Sequence, residues 1–102
     1  MIREVAQLKI SDGSEAKFLT AVEQSVPVFK SAEGCRAMRL EKVIETPGMF
    51  RLIVLWDTLE HHTEGFRNSE GFQTWRSLAG PFFSEPPTVD HSEIAVAGFD
   101  AD

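Results

Sequence analysis

The sequence lacks the features that mark several broad classes of protein. It holds one cysteine, Cys35, so an internal disulfide is excluded. No apolar run approaches the length of a membrane-spanning helix, and charged residues within positions 1–9 stand where a signal peptide requires an apolar core. The formal net charge of −6 disfavours nucleic acid and anionic membranes as partners, because both bind basic surfaces. We therefore expect a cytoplasmic protein with neither partner.

The length and the composition are those of one small globular unit. A chain of 102 residues can build one modest core but not two, and 42% of its residues are hydrophobic. No internal repeat, linker or low-complexity tract divides it. We expect a single domain that covers residues 1–102.

The most informative stretch is a run of apolar residues near the middle of the chain. Between Phe50 and Trp56 every residue except Arg51 is apolar. Alternate side chains of a strand point to opposite faces, and this run offers apolar residues to both. One face would carry Phe50, Leu52, Val54 and Trp56, and the other Met49, Ile53 and Leu55. The pattern predicts a central strand that is buried on both faces.

A helical pattern follows this strand directly. Asp57 or Thr58 is placed to cap the helix, and apolar side chains then recur at spacings of three and four residues. This face consists of Leu59, His62, Phe66, Phe72, Trp75 and either Leu78 or Ala79. It predicts that helices cover one side of the central strand.

The other segments supply three strands and a second helix. Strands are predicted over 2–10, 35–44 and 88–99, with a hairpin turn at 45–48. The first strand would turn Ile2, Ala6, Leu8 and Ile10 inward. The residues after the last strand, Ala101 and Asp102, are expected to fray.

The helix between the first two strands is predicted over 14–29. Asp12 and Glu15 have the spacing of a capping box. Its buried stripe would consist of Phe18, Val22, Val26 and Phe29. Pro27 lacks an N–H group and crowds the preceding turn, so we expect a kink or an early end there.

The order strand, helix, strand, strand, helix, strand is that of the ferredoxin-like split βαβ pattern. It predicts an α+β domain, a four-stranded antiparallel sheet with both helices on one face. The central strand then offers apolar side chains to the other face, and the first and last strands would add to them. Because a large apolar patch is rarely left in water, we expect a second copy to cover it in a homodimer. The interface would bury roughly 1,600 Å² in total.

Several of these residues carry a resemblance to a known family. They are Gly34 and Cys35, the run from Trp56 to Glu60, His62, Phe66, Arg67, Ser69, Phe72, Trp75, Arg76, Val89 and His91. With them the chain resembles the antibiotic biosynthesis monooxygenase family over nearly its whole length. The resemblance implies the fold of a dimeric α+β barrel.

The resemblance also implies a reaction that needs no cofactor. The best-understood members oxidise phenols or hydroquinones to quinones with molecular oxygen. A haem-degrading branch of the superfamily uses an Asn, a Trp and a His at positions that here hold Ala6, Phe66 and Arg76. The resemblance therefore disfavours haem. A metal site is also not expected, because no third ligand lies at a useful spacing from His62 and His91.

The expected site lies on the second helical region and the last strand. His62 is the expected catalytic base, because an imidazole can accept a phenolic proton near neutral pH. The expected contacts to a small hydrophobic or aromatic substrate are Phe66, Phe72, Trp75, Arg76 and His91. The aromatic residues and the histidines also have structural alternatives: the aromatic residues can be core, His62 can be satisfied by a backbone carbonyl or an acidic neighbour, and His91 can pair with a carboxylate.

Three functions remain open on the sequence. The first is a cofactor-independent monooxygenase that acts on a phenolic or quinol aromatic. The second is a dimeric module that binds a small hydrophobic molecule without chemistry, and the third is an isomerase of a small metabolite on the same fold.

Overall fold

The elements follow one another in the predicted order in a computed structural model that describes residues 1–100. The strands are β1 (Ile2–Lys9), β2 (Cys35–Lys42), β3 (Met49–Trp56) and β4 (Thr88–Ser92). The helices are α1 (Glu15–Lys30) and α2 (Glu70–Ala79), with a π-helical segment (His61–Phe66) before α2 and a 3-10 turn (Gly80–Phe82) after it. The expected fraying of Ala101 and Asp102 concerns residues outside the described range.

The four strands form one antiparallel sheet in the order β2-β3-β1-β4. The first and third strands thus occupy its centre, and the predicted ferredoxin-like α+β architecture is confirmed. The core lies between one face of this sheet and the helices, where Phe18 and Phe29 of α1 and Trp75 of α2 join the β3 side chains. Gly48 closes the predicted hairpin between β2 and β3 with a φ of +81°, a conformation that glycine adopts without strain.

The strand β3 is fully buried on the face toward the helices and only partly buried on the opposite face, so the predicted burial of both faces holds for one of them in the single chain. The side chains that point toward the helices are at most 1% exposed, and they are Phe50, Leu52, Val54 and Trp56. On the opposite face Ile53 is 6% exposed, and Leu55 is half-buried. The opposite face is called the outer face of the sheet below.

The inward face of β1 differs from the prediction at its first position. Glu4, Ala6 and Leu8 are buried in the strand and Ile10 just beyond it, whereas Ile2 is half-buried. Ile2 lies opposite Trp56 in the terminal pair of the β1–β3 ladder, so its side chain stands at the end of the sheet. A glutamate therefore takes an inward position that the hydrophobic pattern does not predict.

The helix α1 also departs from its prediction. Pro27 neither ends it nor shortens it, because the helix continues to Lys30 and the Ser31 N–H bonds to the Pro27 carbonyl at 3.0 Å. Val26 is 45% exposed, and its expected place in the buried stripe is taken by Ser25, whose hydroxyl donates to the Ala21 carbonyl at 2.8 Å. The N-cap is Ser14, with no side-chain hydrogen bond, so the expected capping box is wrong.

The last strand is shorter than predicted. The strand β4 ends at Ser92 because that residue pairs with Arg3, close to the start of its only neighbour β1. It gives the outer face Thr88, Asp90 and Ser92, so the expectation that the last strand adds apolar area there is wrong. The segment after it holds three exposed apolar side chains, Ile94, Val96 and Phe99. The strand β2 likewise ends at Lys42 rather than 44.

Candidate active site

The site begins where β3 ends and the chain turns into a helix. The Thr58 hydroxyl accepts the His61 N–H at 3.2 Å, so Thr58 is the predicted capping residue. Asp57 instead accepts two hydrogen bonds from Arg36 at 2.7 and 2.6 Å. The following segment is π-helical, and the Arg67 N–H bonds to the His62 carbonyl at 3.1 Å. Such widened turns are frequent at functional sites.

This π-helical segment directs His62 into the interior, where it joins a buried polar cluster. The imidazole is 3% exposed and stacks on the Trp56 indole with centroids 5.4 Å apart. Its Nδ1 lies 2.8 Å from Nε2 of His91, and its Nε2 lies 3.3 Å from Oε1 of Glu4. The Trp56 Nε1–H donates to the same Glu4 oxygen at 3.0 Å. Glu4, Trp56, His62 and His91 are called the buried cluster below.

Glu4 is the member of this cluster that the sequence reasoning missed. Its carboxylate is 5% exposed, and its neighbour across the sheet is His91. The signal was present in the alternation of β1, because Glu4 shares its parity with Ala6 and Leu8. A charged residue at an inward position of a central strand needs a partner, and that requirement could have led to the histidines.

Burial controls the protonation of the cluster. Desolvation raises the pKa of Glu4 to about 7, against the smaller lowering effects of the Trp56 hydrogen bond and the Arg67 charge. Desolvation lowers the pKa of His62 to about 4, with further lowering by Arg67 and His91. The pKa of His91 is also lowered, first by desolvation and then by Arg67. Near neutral pH both imidazoles are therefore uncharged, and Glu4 can gain or lose a proton.

A cavity of about 810 Å³ opens between the sheet, α2 and the proline-rich loop 80–87. Its lining from the sheet is Glu4, Ala6, Leu8, Leu52 and Val89. Its lining from the helical region is His62, Arg67, Phe72, Trp75 and Arg76, and the loop closes the remaining side with Phe83 and three prolines. The volume is that of a site for a small organic ligand, and a few polar groups stand among apolar walls.

Four of the predicted site residues line this cavity together. They are His62, Phe72, Trp75 and Arg76, and the guanidinium of Arg76 lies 5.9 Å from the centre of the Phe72 ring. Phe66 was predicted to contact the substrate but does not line the cavity. It lies behind the wall, packed on Trp56 and Phe29, because the π-helical segment turns it toward the core. His91, the other predicted contact, also differs from the prediction: it is hydrogen-bonded to His62 but does not line the cavity.

The described part of the chain contains no cluster of three or more His, Cys, Asp or Glu side chains arranged to hold a metal ion. Within residues 1–100, no helix is both long and apolar enough to span a bilayer.

Comparison with known proteins assigns the family. The model of the antibiotic biosynthesis monooxygenase family matches residues 1–78, which include β1, both helical regions and the first three residues of the cluster. The chain belongs to the antibiotic biosynthesis monooxygenase family. The structure confirms the resemblance at the level of fold and of family, and β4 with His91 lies beyond the matched stretch.

Individual relatives agree with this membership. YczJ of Bacillus subtilis, whose function is uncharacterised, is 41% identical over 91 residues, which are 89% of this chain and 96% of that protein. A crystal structure of a Bordetella bronchiseptica protein that carries the family name is 40% identical, with a TM-score of 0.91 over 93% of this chain and 97% of that one. A second such protein, from Caulobacter crescentus, is 18% identical with a TM-score of 0.81 and supports the fold alone.

Proposed function

We propose that this family member binds a phenolic or quinol aromatic molecule in the cavity and oxidises it with molecular oxygen without a cofactor. The observation that carries the proposal is the buried pair Glu4 and His62, which forms part of an otherwise largely apolar cavity wall. An aromatic ligand fits such walls, and a proton acceptor beside it can convert it to the electron-rich anion that reacts with oxygen.

The chemistry can be written for an anthrone, whose reacting carbon carries two hydrogens. Removal of one proton leaves an anion, which gives one electron to oxygen and forms a radical and superoxide. Their recombination makes a C–O bond and a hydroperoxide once a proton is returned. Loss of water then breaks the O–O bond and leaves a carbonyl, so one oxygen atom enters the product and the other leaves as water. The protein needs only to bind, ionise and shield the substrate.

The cavity residues have distinct roles in this proposal. Phe72 and Trp75 flank the ring of the substrate, and Arg76 stabilises the oxygen that becomes negatively charged. His62, its hydrogen-bond partner His91 and the adjacent Glu4 form the proton-accepting group. Phe66 and His91 support this group from behind the wall rather than contacting the ligand.

Oxygen uptake with anthrone tests the activity. We expect the wild-type protein to accelerate uptake above the uncatalysed rate, and the His62→Ala variant to lose most of that acceleration, by about a hundredfold, because the buried acid–base pair loses one member. His61→Ala is the matched control, because His61 is the neighbouring histidine, bonds to Thr58 and does not line the cavity. No uptake by the wild-type protein above background would refute the proposal for this substrate class.

The second open function is ligand binding without chemistry. It is favoured by the surroundings of His62, whose Nδ1 is hydrogen-bonded to His91 and whose Nε2 lies 3.3 Å from the Glu4 carboxylate. A rise of the melting temperature with anthrone under nitrogen, together with no catalysed uptake in air, would establish it. An isomerase that used His62 and His91 as its acid–base pair is not favoured, because His91 lies outside the cavity lining.

We also propose that the protein is a homodimer that associates through the outer face of the sheet. Ile53 and Leu55 on this face border a groove of about 550 Å³ together with Ile94 and Val96 of the tail. Those two tail residues are 64% and 86% exposed, and an apolar surface of this kind is typical of an interface.

Sedimentation equilibrium tests the association. The wild-type protein is expected to have twice the chain mass, and Leu55→Glu to shift it to the monomer at micromolar concentration, because a charge would be buried without a partner. Leu19→Glu is the matched control: Leu19 is 37% exposed on α1, on the opposite side of the sheet. A wild-type protein of single-chain mass would contradict the dimer.

A further inference from the structure

We propose that Glu4, rather than His62, takes the proton from the bound substrate and later returns it, while His62 and His91 are positioning residues that fix the Glu4 carboxylate. This assignment rests on the proposed function and identifies the acid–base group of the same site. Glu4 belongs to the first strand and was not part of the expected site.

Each ring nitrogen of His62 already has a protein group beside it. Its Nδ1 is occupied by His91 at 2.8 Å, and its Nε2 faces Glu4 at 3.3 Å. A phenolic oxygen that approached Nδ1 would have to displace the half-buried His91, and one that approached Nε2 would meet the Glu4 carboxylate at the same time. The imidazole also stacks on the Trp56 indole, and the two ring planes are inclined by only 20°. A rotation that tilted the imidazole toward the cavity would break this stack.

Glu4 keeps one carboxylate oxygen for the cavity. The hydrogen bond from the Trp56 Nε1–H ends on Oε1, and the 3.3 Å contact from His62 Nε2 is to the same oxygen. Within residues 1–100 every fully buried side-chain oxygen or nitrogen has a hydrogen-bond partner. Both of these contacts of Glu4 are to Oε1, so Oε2 is not fully buried, and Glu4 is part of the cavity wall. Oε2 is therefore the oxygen that meets a ligand, and a carboxylate oxygen accepts a proton without displacing any protein group.

The two histidines share one hydrogen between their facing nitrogens, His62 Nδ1 and His91 Nε2. At 2.8 Å one of the two facing nitrogens carries a hydrogen and the other accepts it. When His91 is the donor, the neutral His62 carries its hydrogen on Nε2, the nitrogen that lies 3.3 Å from Glu4 Oε1. Oε1 then accepts the Trp56 N–H and has the positive end of the His62 N–H group nearby, and both favour the ionised carboxylate. His91 thus acts on the substrate only through the tautomer of His62.

The reaction itself requires a group that stores one proton. Ionisation of the anthrone breaks a C–H bond and transfers its proton to Oε2 of Glu4, leaving the electron pair on the substrate. After oxygen has added, Glu4 returns this proton to the peroxide oxygen, so that the hydroperoxide forms and the carboxylate is regenerated. The overall conversion consumes oxygen and releases water with no net proton, and no outlet to solvent is needed.

The surroundings of Glu4 suit this double role. Burial raises its pKa to about 7, so that acceptance and return are both feasible near neutral pH. The ionisable groups that face it come from every neighbouring element: His62 and Arg67 from the helical region, His91 from β4 and Cys35 from β2. Only Arg67 among them carries a positive charge at neutral pH, and it favours the carboxylate.

The test compares oxygen uptake by three variants over a range of pH. Glu4→Gln keeps an acceptor for Trp56 but cannot take a proton, and it is expected to lower the catalysed rate by about a hundredfold or more and to abolish the acidic limb of the pH profile. Glu64→Gln is the matched control, since Glu64 is an exposed carboxylate on the same segment as His62. His62→Gln is expected to lower the rate, because Glu4 loses the imidazole that positions it, but to retain the acidic limb of the pH profile.

Each result decides the assignment. An active wild-type protein with an equally active Glu4→Gln variant, or with an acidic limb that disappears only in His62→Gln, would overturn the role of Glu4 and leave the proposed function standing. A wild-type protein without catalysed uptake would overturn both. If Glu4→Gln does not fold, Glu4→Asp retains a carboxylate in a shorter side chain, and its acidic limb must persist at a reduced rate; its absence would contradict the assignment.

Discussion

Replacing Trp56 with alanine is expected to lower the free energy of unfolding by about 3–5 kcal/mol. The indole is fully buried and packs on His62 and Phe66, each with centroids 5.4 Å away. Its removal leaves a cavity in the core and also removes the N–H donor of Glu4. A buried carboxylate that loses a donor is destabilised in its ionised form, so the variant should also raise the pKa of Glu4 further.

Urea denaturation measures this effect, and Trp56→Phe separates its two parts. Phenylalanine retains much of the apolar contact but not the hydrogen bond, so a loss of about 1–3 kcal/mol is expected. Ile44→Ala is the control, because Ile44 is 90% exposed and its removal should change stability by no more than about 0.5 kcal/mol. A Trp56→Ala variant as stable as this control would show that the packing around the site is not as described.

The pH dependence of stability should separate Glu4 from His62. Between pH 4.5 and about 7 the folded state holds a proton on Glu4 that the unfolded state has released, so this group makes stability fall as pH rises. Between about pH 4 and 6.5 the unfolded state holds a proton on His62 that the folded state lacks, so this group makes stability rise. In the wild-type protein the two slopes oppose each other where the ranges overlap.

Single variants should expose each slope. Glu4→Gln removes the contribution of Glu4 and leaves that of His62. The free energy of unfolding of this variant is therefore expected to rise more steeply than that of the wild-type protein between about pH 4 and 6.5. His62→Gln leaves that of Glu4, and its stability is expected to decrease from pH 4.5 to about 7. Each slope can reach about 1.4 kcal/mol per pH unit for one proton. Urea titrations across this range measure both, and parallel curves for the two variants would contradict the protonation states described.

Much of the fold could be predicted because its strands and helices have strong periodic patterns. The continuous apolar run of β3 and the glycine turn at Gly48 identify a central strand and its hairpin from the local sequence. The errors arise where tertiary pairing decides the outcome. The strand β4 stops at Ser92 because its neighbour β1 begins there, and Val26 turns outward because Ser25 satisfies its hydroxyl within the helix and can be buried.

The site was only partly predictable for a similar reason. Helical spacing and the family resemblance brought His62, Phe72, Trp75 and Arg76 to the same region, and all four line the cavity. The π-helical segment is not encoded by periodicity, and it is what turns Phe66 away from the cavity. The alternation of β1 indicates that Glu4 points inward but not which residue it meets. Its contact with His62 joins positions that are far apart in the chain.

Isotopic labelling of the product tests the central proposal most directly. The purified protein would convert anthrone under an atmosphere of heavy-isotope oxygen, and mass spectrometry would measure the label in the product. We predict one labelled oxygen atom per product molecule, one molecule of oxygen consumed and no hydrogen peroxide released. Product formed at the uncatalysed rate, or catalysed turnover in which both oxygen atoms leave as hydrogen peroxide, would contradict the assignment of this cavity as the site of a monooxygenase.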